Sequence, residues 1–156
     1  MKISDYLSED LIFFDIKEGR NKSNILKQIT DRICRVKKFS PDKKKKIISN
    51  ILERERLGST AIGQGIALPH ARVNFVKTPI ISITSFKNGV DLGALDGDKV
   101  FLVFLIVSPQ KSEGLHLKIL ANISRLLRDK FFLAKLKNAK SPEEIKKAIK
   151  SQERKV

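Results

Sequence analysis

The chain has 156 residues, 41% of them hydrophobic, and a formal net charge of +15. This supports one domain with a substantial core and excludes a wholly disordered chain. No stretch approaches the roughly 18 apolar residues that span a bilayer, so no direct membrane insertion is expected.

The opening MKISDYLSEDLIFF sets acids before a short apolar run, unlike a secretory signal, and a soluble cytoplasmic protein is expected. Ile3–Leu7 suits a short helical turn. Leu11–Asp15 (LIFFD) reads as a strand, and Glu18-Gly19 as a turn. Ile25, Leu26, Ile29, Ile33 and Val36 recur at helical spacing, predicting a helix over 21–36. Cys34 is alone, so no intrachain disulfide can form, and it reads as a small core residue. Ser40-Pro41 opens a second helix, with serine as N-cap and proline in the first turn. It runs to about Leu57, and Gly58 stops it.

Residues 59–68 read as a glycine-punctuated turn or hairpin ending at a Pro69-His70 corner. Pro79–Phe86 alternates as a strand. Val100–Val107 is apolar throughout, as in a strand buried on both faces, and Ser108-Pro109 ends it. Helices are predicted over 114–129 and 131–136. Ser141-Pro142-Glu143-Glu144 is a capping box opening a last helix. The domain is expected over 1–150, with a frayed tail over 151–156. Helices lie before, between and after the strands, which predicts an α/β fold: a sheet with helices packed on both faces.

The positive charge raises the prospect of a polyanion partner. Lys43–Lys46, however, fit the polar side of a helix start, and the other lysines are dispersed. Phe13, Phe14, Phe101 and Phe104 read as core residues. No basic stripe carries exposed aromatic platforms, so nucleic acid is not the expected partner.

The informative stretch is Glu53–Val73, ERERLGSTAIGQGIALPHARV. It holds His70, one of two histidines, with Gly58, Gly63 and Gly65 leading in. A histidine so placed can be a nucleophile, a base, a metal ligand or a core residue. Zinc would need three or four ligands, and only two histidines and an isolated cysteine exist. There is no G-x-S-x-G elbow, and no Gly-Lys-Ser/Thr follows the glycines to make a phosphate-binding loop. Neither a metal nor a cofactor is expected.

Arg54-Glu55, Leu57-Gly58-Ser59-Thr60, Gly65-Ile66-Ala67 and Pro69-His70 resemble the active-site signature of the enzyme IIA domains of the fructose–mannitol class, from the bacterial phosphoenolpyruvate-dependent sugar phosphotransferase system. Gly89-Val90-Asp91, Leu95-Asp96-Gly97 and the run Phe101–Val107 extend the likeness, as do His116-Leu117, Leu120-Ala121 and Leu126-Leu127. The resemblance implies an α/β sandwich with a mixed sheet. It implies that His70 takes a phosphoryl group, on Nε2, from the phosphocarrier HPr and passes it to an enzyme IIB. A neutral imidazole suits that work, since it attacks phosphorus without first losing a proton. Arg54 matches the arginine of the family's Arg-Glu pair, and its fork suits phosphate; a surface ion pair to Glu53 or Glu55 is the competing reading. Thr60 matches the family's threonine, a hydroxyl donor to phosphate. Backbone amides around Gly63–Gly65 are further candidate donors. His116 matches the histidine that lies beside the nucleophile; alternatively it is a capping or surface histidine at a helix start. Glu55 is a candidate to orient one of these side chains. Arg56, Arg72 and Lys77 make the neighbourhood basic.

Two branches fit. In one, the protein feeds the IIB component of a fructose-type permease; Ala71 and the wording of the second block lean that way. In the other, it is a nitrogen-type regulatory IIA whose phosphorylation state controls binding to other proteins.

Overall fold

A computed structural model of the chain describes residues 1–17, 19 and 21–155. In chain order the elements are β1 (Ile12–Phe13), α1 (Lys22–Lys37), α2 (Pro41–Arg56), β2 (Ala61–Gly63), β3 (Ile66–Ala67), β4 (His70–Val73), β5 (Ile80–Val90), β6 (Val100–Pro109), α3 (Glu113–Leu126), α4 (Lys130–Asn138) and α5 (Pro142–Lys155). Two short 3-10 turns, Ile3–Asp5 and Glu9–Leu11, precede β1.

α2 and α5 begin at the caps the sequence predicts, and α1 begins at a cap that the sequence reading did not single out. Asn21 accepts from the Asn24 amide, and Ser40 from that of Lys43 with Pro41 following, so each satisfies an otherwise orphaned N–H. Ser141 accepts from the Glu144 amide, while the Glu144 carboxylate takes the Lys140 N–H at 3.0 Å.

The six-stranded mixed sheet has the order β1-β5-β6-β3-β2, with β4 also pairing with β6. β5 and β6 run antiparallel; β3 and β4 run parallel to β6, one after the other. β6 is therefore the centre, and its side chains alternate between two cores. Val103, Leu105 and Val107 join the layer under α1 and α2, with Ile29, Ile33, Ile47 and Ile51. Leu102, Phe104 and Ile106 join the layer under α3, α4 and α5, with Ile119, Ile123, Leu136 and Ile145. The fold is the expected α/β sandwich with helices on both faces.

Several boundaries differ from expectation. The LIFFD strand shrinks to Ile12–Phe13, an edge strand parallel to β5. The chain enters it from the 3-10 turn and leaves as Asp15 turns to Arg32, 3.0 Å away. β5 runs on to Val90 through a register irregularity between Ser85 and Val90, and β6 runs to Pro109. The expected frayed tail is helical to Lys155. Gln152 is buried and donates to Asp129 at 3.1 Å, and Glu153 accepts from the Ile3 amide, so polar contacts hold the last turn. Glu18, of the expected Glu18-Gly19 turn, and Val156 lie outside the described residues.

Candidate phosphoryl-transfer site

β4 begins at Pro69-His70 and lies along the C-terminal half of β6, with His70 opposite Ile106 and Arg72 opposite Ser108. The side chains of His70 and Arg72 stand two apart on one strand and so share a face. α2 packs on that strand, and Asn50 Nδ2 donates to the Arg72 carbonyl at 3.0 Å. This brings the last turn of α2, with Arg54, to the same cleft. β6 ends at Pro109, the chain turns, and α3 starts at Glu113, which delivers His116 from the other side. The cleft measures about 410 Å³ and is lined by Arg54, His70, Arg72, Gln110 and His116, with Leu57 and Leu117 exposed at its rim.

The two imidazoles face each other with ring centroids 5.1 Å apart and planes at 56°. His70 Nδ1 sits 2.8 Å from the Leu68 carbonyl oxygen. A carbonyl only accepts, so Nδ1 carries the proton and Nε2 keeps its lone pair. Burial pushes the His70 pKa below the usual imidazole value; the Leu68 carbonyl opposes that, and Arg54 adds to it. His116 is buried, with Nδ1 2.7 Å from Ser108 Oγ. Its pKa falls to about 4, through burial first and then the neighbouring His70 and Arg72. Both rings are therefore neutral near pH 7.

Arg54 Nη1 donates to the Gly58 carbonyl at 2.8 Å, which fixes the guanidinium at the cleft edge. Among the described residues its glutamate neighbours are engaged elsewhere, Glu53 with Arg56 at 3.2 Å and Glu55 with Lys22 at 3.3 Å. The ion pair proposed for Arg54 does not form. Arg72 reaches Glu113 at 3.7 Å, a loose contact between partly exposed side chains.

Thr60 lies apart from these groups. It is buried, and both its amide and its hydroxyl donate to the Glu55 carboxylate, at 3.1–3.2 Å. Its hydroxyl is thus committed to Glu55, and neither residue lines the cleft. The amide of Gln64, between the two glycines, is likewise committed, to Asp96 at 3.1 Å. The structure gathers His70, His116 and Arg54; Thr60 and Glu55 join the end of α2 to the hairpin that follows, and the Gln64 amide meets Asp96.

Sequence reasoning named Arg72 only as one basic residue among several, and Ser108 only as a strand end. For Arg72 the signal was available, because it stands at i+2 from His70 in an extended stretch. For Ser108 there was none, since its partner is fixed by how α3 folds back on β6. Among the described residues, no three His, Cys, Asp or Glu side chains group closely enough to hold a metal ion. No helix there is long and apolar enough to cross a membrane.

The family described as "Phosphoenolpyruvate-dependent sugar phosphotransferase system, EIIA 2" matches residues 5–152. The chain is 34% identical over 145 residues to the fructose-specific EIIABC component of Bacillus subtilis, covering 93% of this chain but 22% of that protein. It is 28% identical over 145 residues to a nitrogen regulatory protein of Bradyrhizobium diazoefficiens, covering 93% and 92% of the two chains. Among solved structures, the nitrogen regulatory protein IIA-Ntr of Neisseria meningitidis superposes with a TM-score of 0.83 at 27% identity, over 94% of this chain and 98% of that one. The chain belongs to the EIIA 2 family of the phosphoenolpyruvate-dependent sugar phosphotransferase system.

Proposed function

We propose that this chain is a phosphoryl carrier in which His70 Nε2 takes the phosphoryl group from phospho-HPr and hands it to an enzyme IIB of a fructose-type permease. The observation that carries the reading is the bond from His70 Nδ1 to the Leu68 carbonyl, beside two guanidinium groups. It leaves Nε2 as the nucleophilic nitrogen of a neutral ring. In the forward step the Nε2 lone pair forms the new N–P bond as the donor's N–P bond breaks, and the donor's imidazole leaves neutral. The phosphohistidine keeps its Nδ1–H on Leu68, and the reverse displacement passes the group on.

Phosphoryl transfer asks mainly for positioning and charge stabilisation. Arg54 and Arg72 are the forks suited to the equatorial oxygens. His116 is the neutral donor beside them, and its low pKa keeps it from competing with His70 for a proton. Cytoplasmic localisation follows from this reading.

A second reading is a nitrogen-type regulatory protein, favoured by the match to the Bradyrhizobium protein over almost all of its length. One experiment separates the two. The chain is loaded from phospho-HPr and chased with a fructose-type IIB. Rapid discharge supports the permease branch. Loading without discharge supports the regulatory branch. Loading of His70→Ala at the wild-type level would overturn both.

A further inference from the structure

We infer that Ser108 is a positioning residue: its hydroxyl donates to His116 Nδ1 and so holds His116 in the tautomer that carries its proton on Nε2. The inference rests on the phosphoryl-carrier reading only for its catalytic meaning.

Ser108 Oγ lies 2.7 Å from His116 Nδ1, and Ser108 is 0% exposed. A serine hydroxyl has one proton to give, and a neutral imidazole has one N–H. Two arrangements are open. If Nδ1–H donated to Ser108, the serine proton would need another acceptor inside the protein. Among the described residues Ser108 Oγ has no other hydrogen-bond partner, and solvent does not reach the residue. That arrangement leaves a buried donor unmade, the expensive kind of loss. If instead Ser108 donates to Nδ1, its proton is used and only a spare lone pair remains. The His116 proton then sits on Nε2.

His70 provides the contrast. Its Nδ1 meets a carbonyl, which can only accept, so its proton sits on Nδ1 and its lone pair on Nε2. The two rings, 5.1 Å apart, are held in opposite tautomers by opposite partners. One offers the cleft a lone pair and the other an N–H. A nucleophile and a hydrogen-bond donor are thereby made from two identical side chains, both uncharged. Register supplies the placement, because Ser108 stands opposite Arg72 in the pairing of β4 with β6.

With only two histidines in the chain, the test is direct. Nitrogen-15 correlation spectra of the imidazoles at neutral pH report which ring nitrogen bears each proton. The expected result is Nδ1–H for His70 and Nε2–H for His116. A second measurement uses Ser108→Ala and Ser108→Thr. Alanine should move the His116 Nδ1 resonance away from its hydrogen-bonded position and slow phosphoryl transfer roughly tenfold, with HPr binding unchanged. Threonine keeps the hydroxyl and should restore both. An Nδ1–H tautomer, or rapid averaging of the two forms, for His116 in the wild-type protein would overturn the inference even if the alanine variant failed to fold. An unmoved Nδ1 resonance in a folded Ser108→Ala would do the same. Failure of His70 to accept phosphate would sink the carrier reading, yet the tautomer spectra would still decide the role of Ser108.

Discussion

The middle of β6 and its C-terminal end are neighbours on one strand, yet they are built on different terms. From Leu102 to Ile106 every side chain is almost fully buried, alternating between two apolar cores. At Ser108 the strand remains as buried, but the side chain is polar and meets His116. The apolar stretch works by volume and area, shared among many contacts that tolerate similar replacements. The polar end works through single atoms: a hydroxyl, a carbonyl at Leu68 and two guanidinium groups. On the proposed reading, stability resides mainly in the first region and chemistry in the second, so changes in each should be separable.

That separation can be broken most forcefully from the core side. Leu105→Ala should cost about 2–5 kcal/mol of unfolding free energy, since the site is closed on both faces and cannot collapse easily. Denaturant titration measures this. Transfer activity at low temperature, where the variant stays folded, should be close to wild type. Activity lost in step with stability would show that the two regions are coupled.

From the cleft side, Arg72→Ala should slow transfer to His70 by about 10²-fold, the typical cost of removing one donor to developing charge. Its melting temperature should hardly change, because the Arg72–Glu113 contact is long and exposed. Arg54→Lys keeps the charge but loses the fork, and a smaller loss, roughly tenfold, is expected. Rapid-quench kinetics on both variants would rank them.

The pH dependence sharpens the same comparison. The His70 pKa lies below 6.5 in the folded chain, so the neutral nucleophile should persist as pH falls through 6.5, and the single-turnover rate should decline only below that. A half-maximal rate at or above 6.5 would contradict this. Stability is linked to the same groups. Both histidines bind protons more readily when unfolded, so protonation favours unfolding. Their contribution is complete above about pH 6.5 and is lost as pH falls; for His116 the window runs from 6.5 to about 4.

The smallest effect is expected at Thr60. Thr60→Ala removes one hydrogen bond to the Glu55 carboxylate, worth about 1–2 kcal/mol of stability, with transfer near wild type. A transfer defect as large as that of Arg72→Ala would return Thr60 to the phosphate.

How much of this was legible in the sequence divides along the same line. The run from Val100 to Val107 announces a central strand because a strand buried on both faces has no polar positions. The caps at Ser40 and Ser141 are local chemistry and mark their helices. His70, Arg54 and His116 were found through a motif, and the structure brings all three to one cleft. What escaped depended on distant pairing. β4 has only four residues, one of them Arg72, and exists because β6 offers it an edge. Thr60 was named because it matches the family's threonine, and only the fold reveals that its hydroxyl meets Glu55. The end of α5 read as a frayed tail because its last turn is polar, and the contacts from Gln152 to Asp129 and from Glu153 to Ile3 join segments far apart in the chain.

The central claim is that His70 accepts phosphate. The most direct measurement is to incubate the chain with phosphoenolpyruvate, enzyme I and HPr, then locate the modification by mass spectrometry under conditions that preserve phosphohistidine. The expected result is one acid-labile phosphoryl group on His70 Nε2 and none on His116. Labelling of His116, or of a serine or threonine with His70 unmodified, would contradict the account.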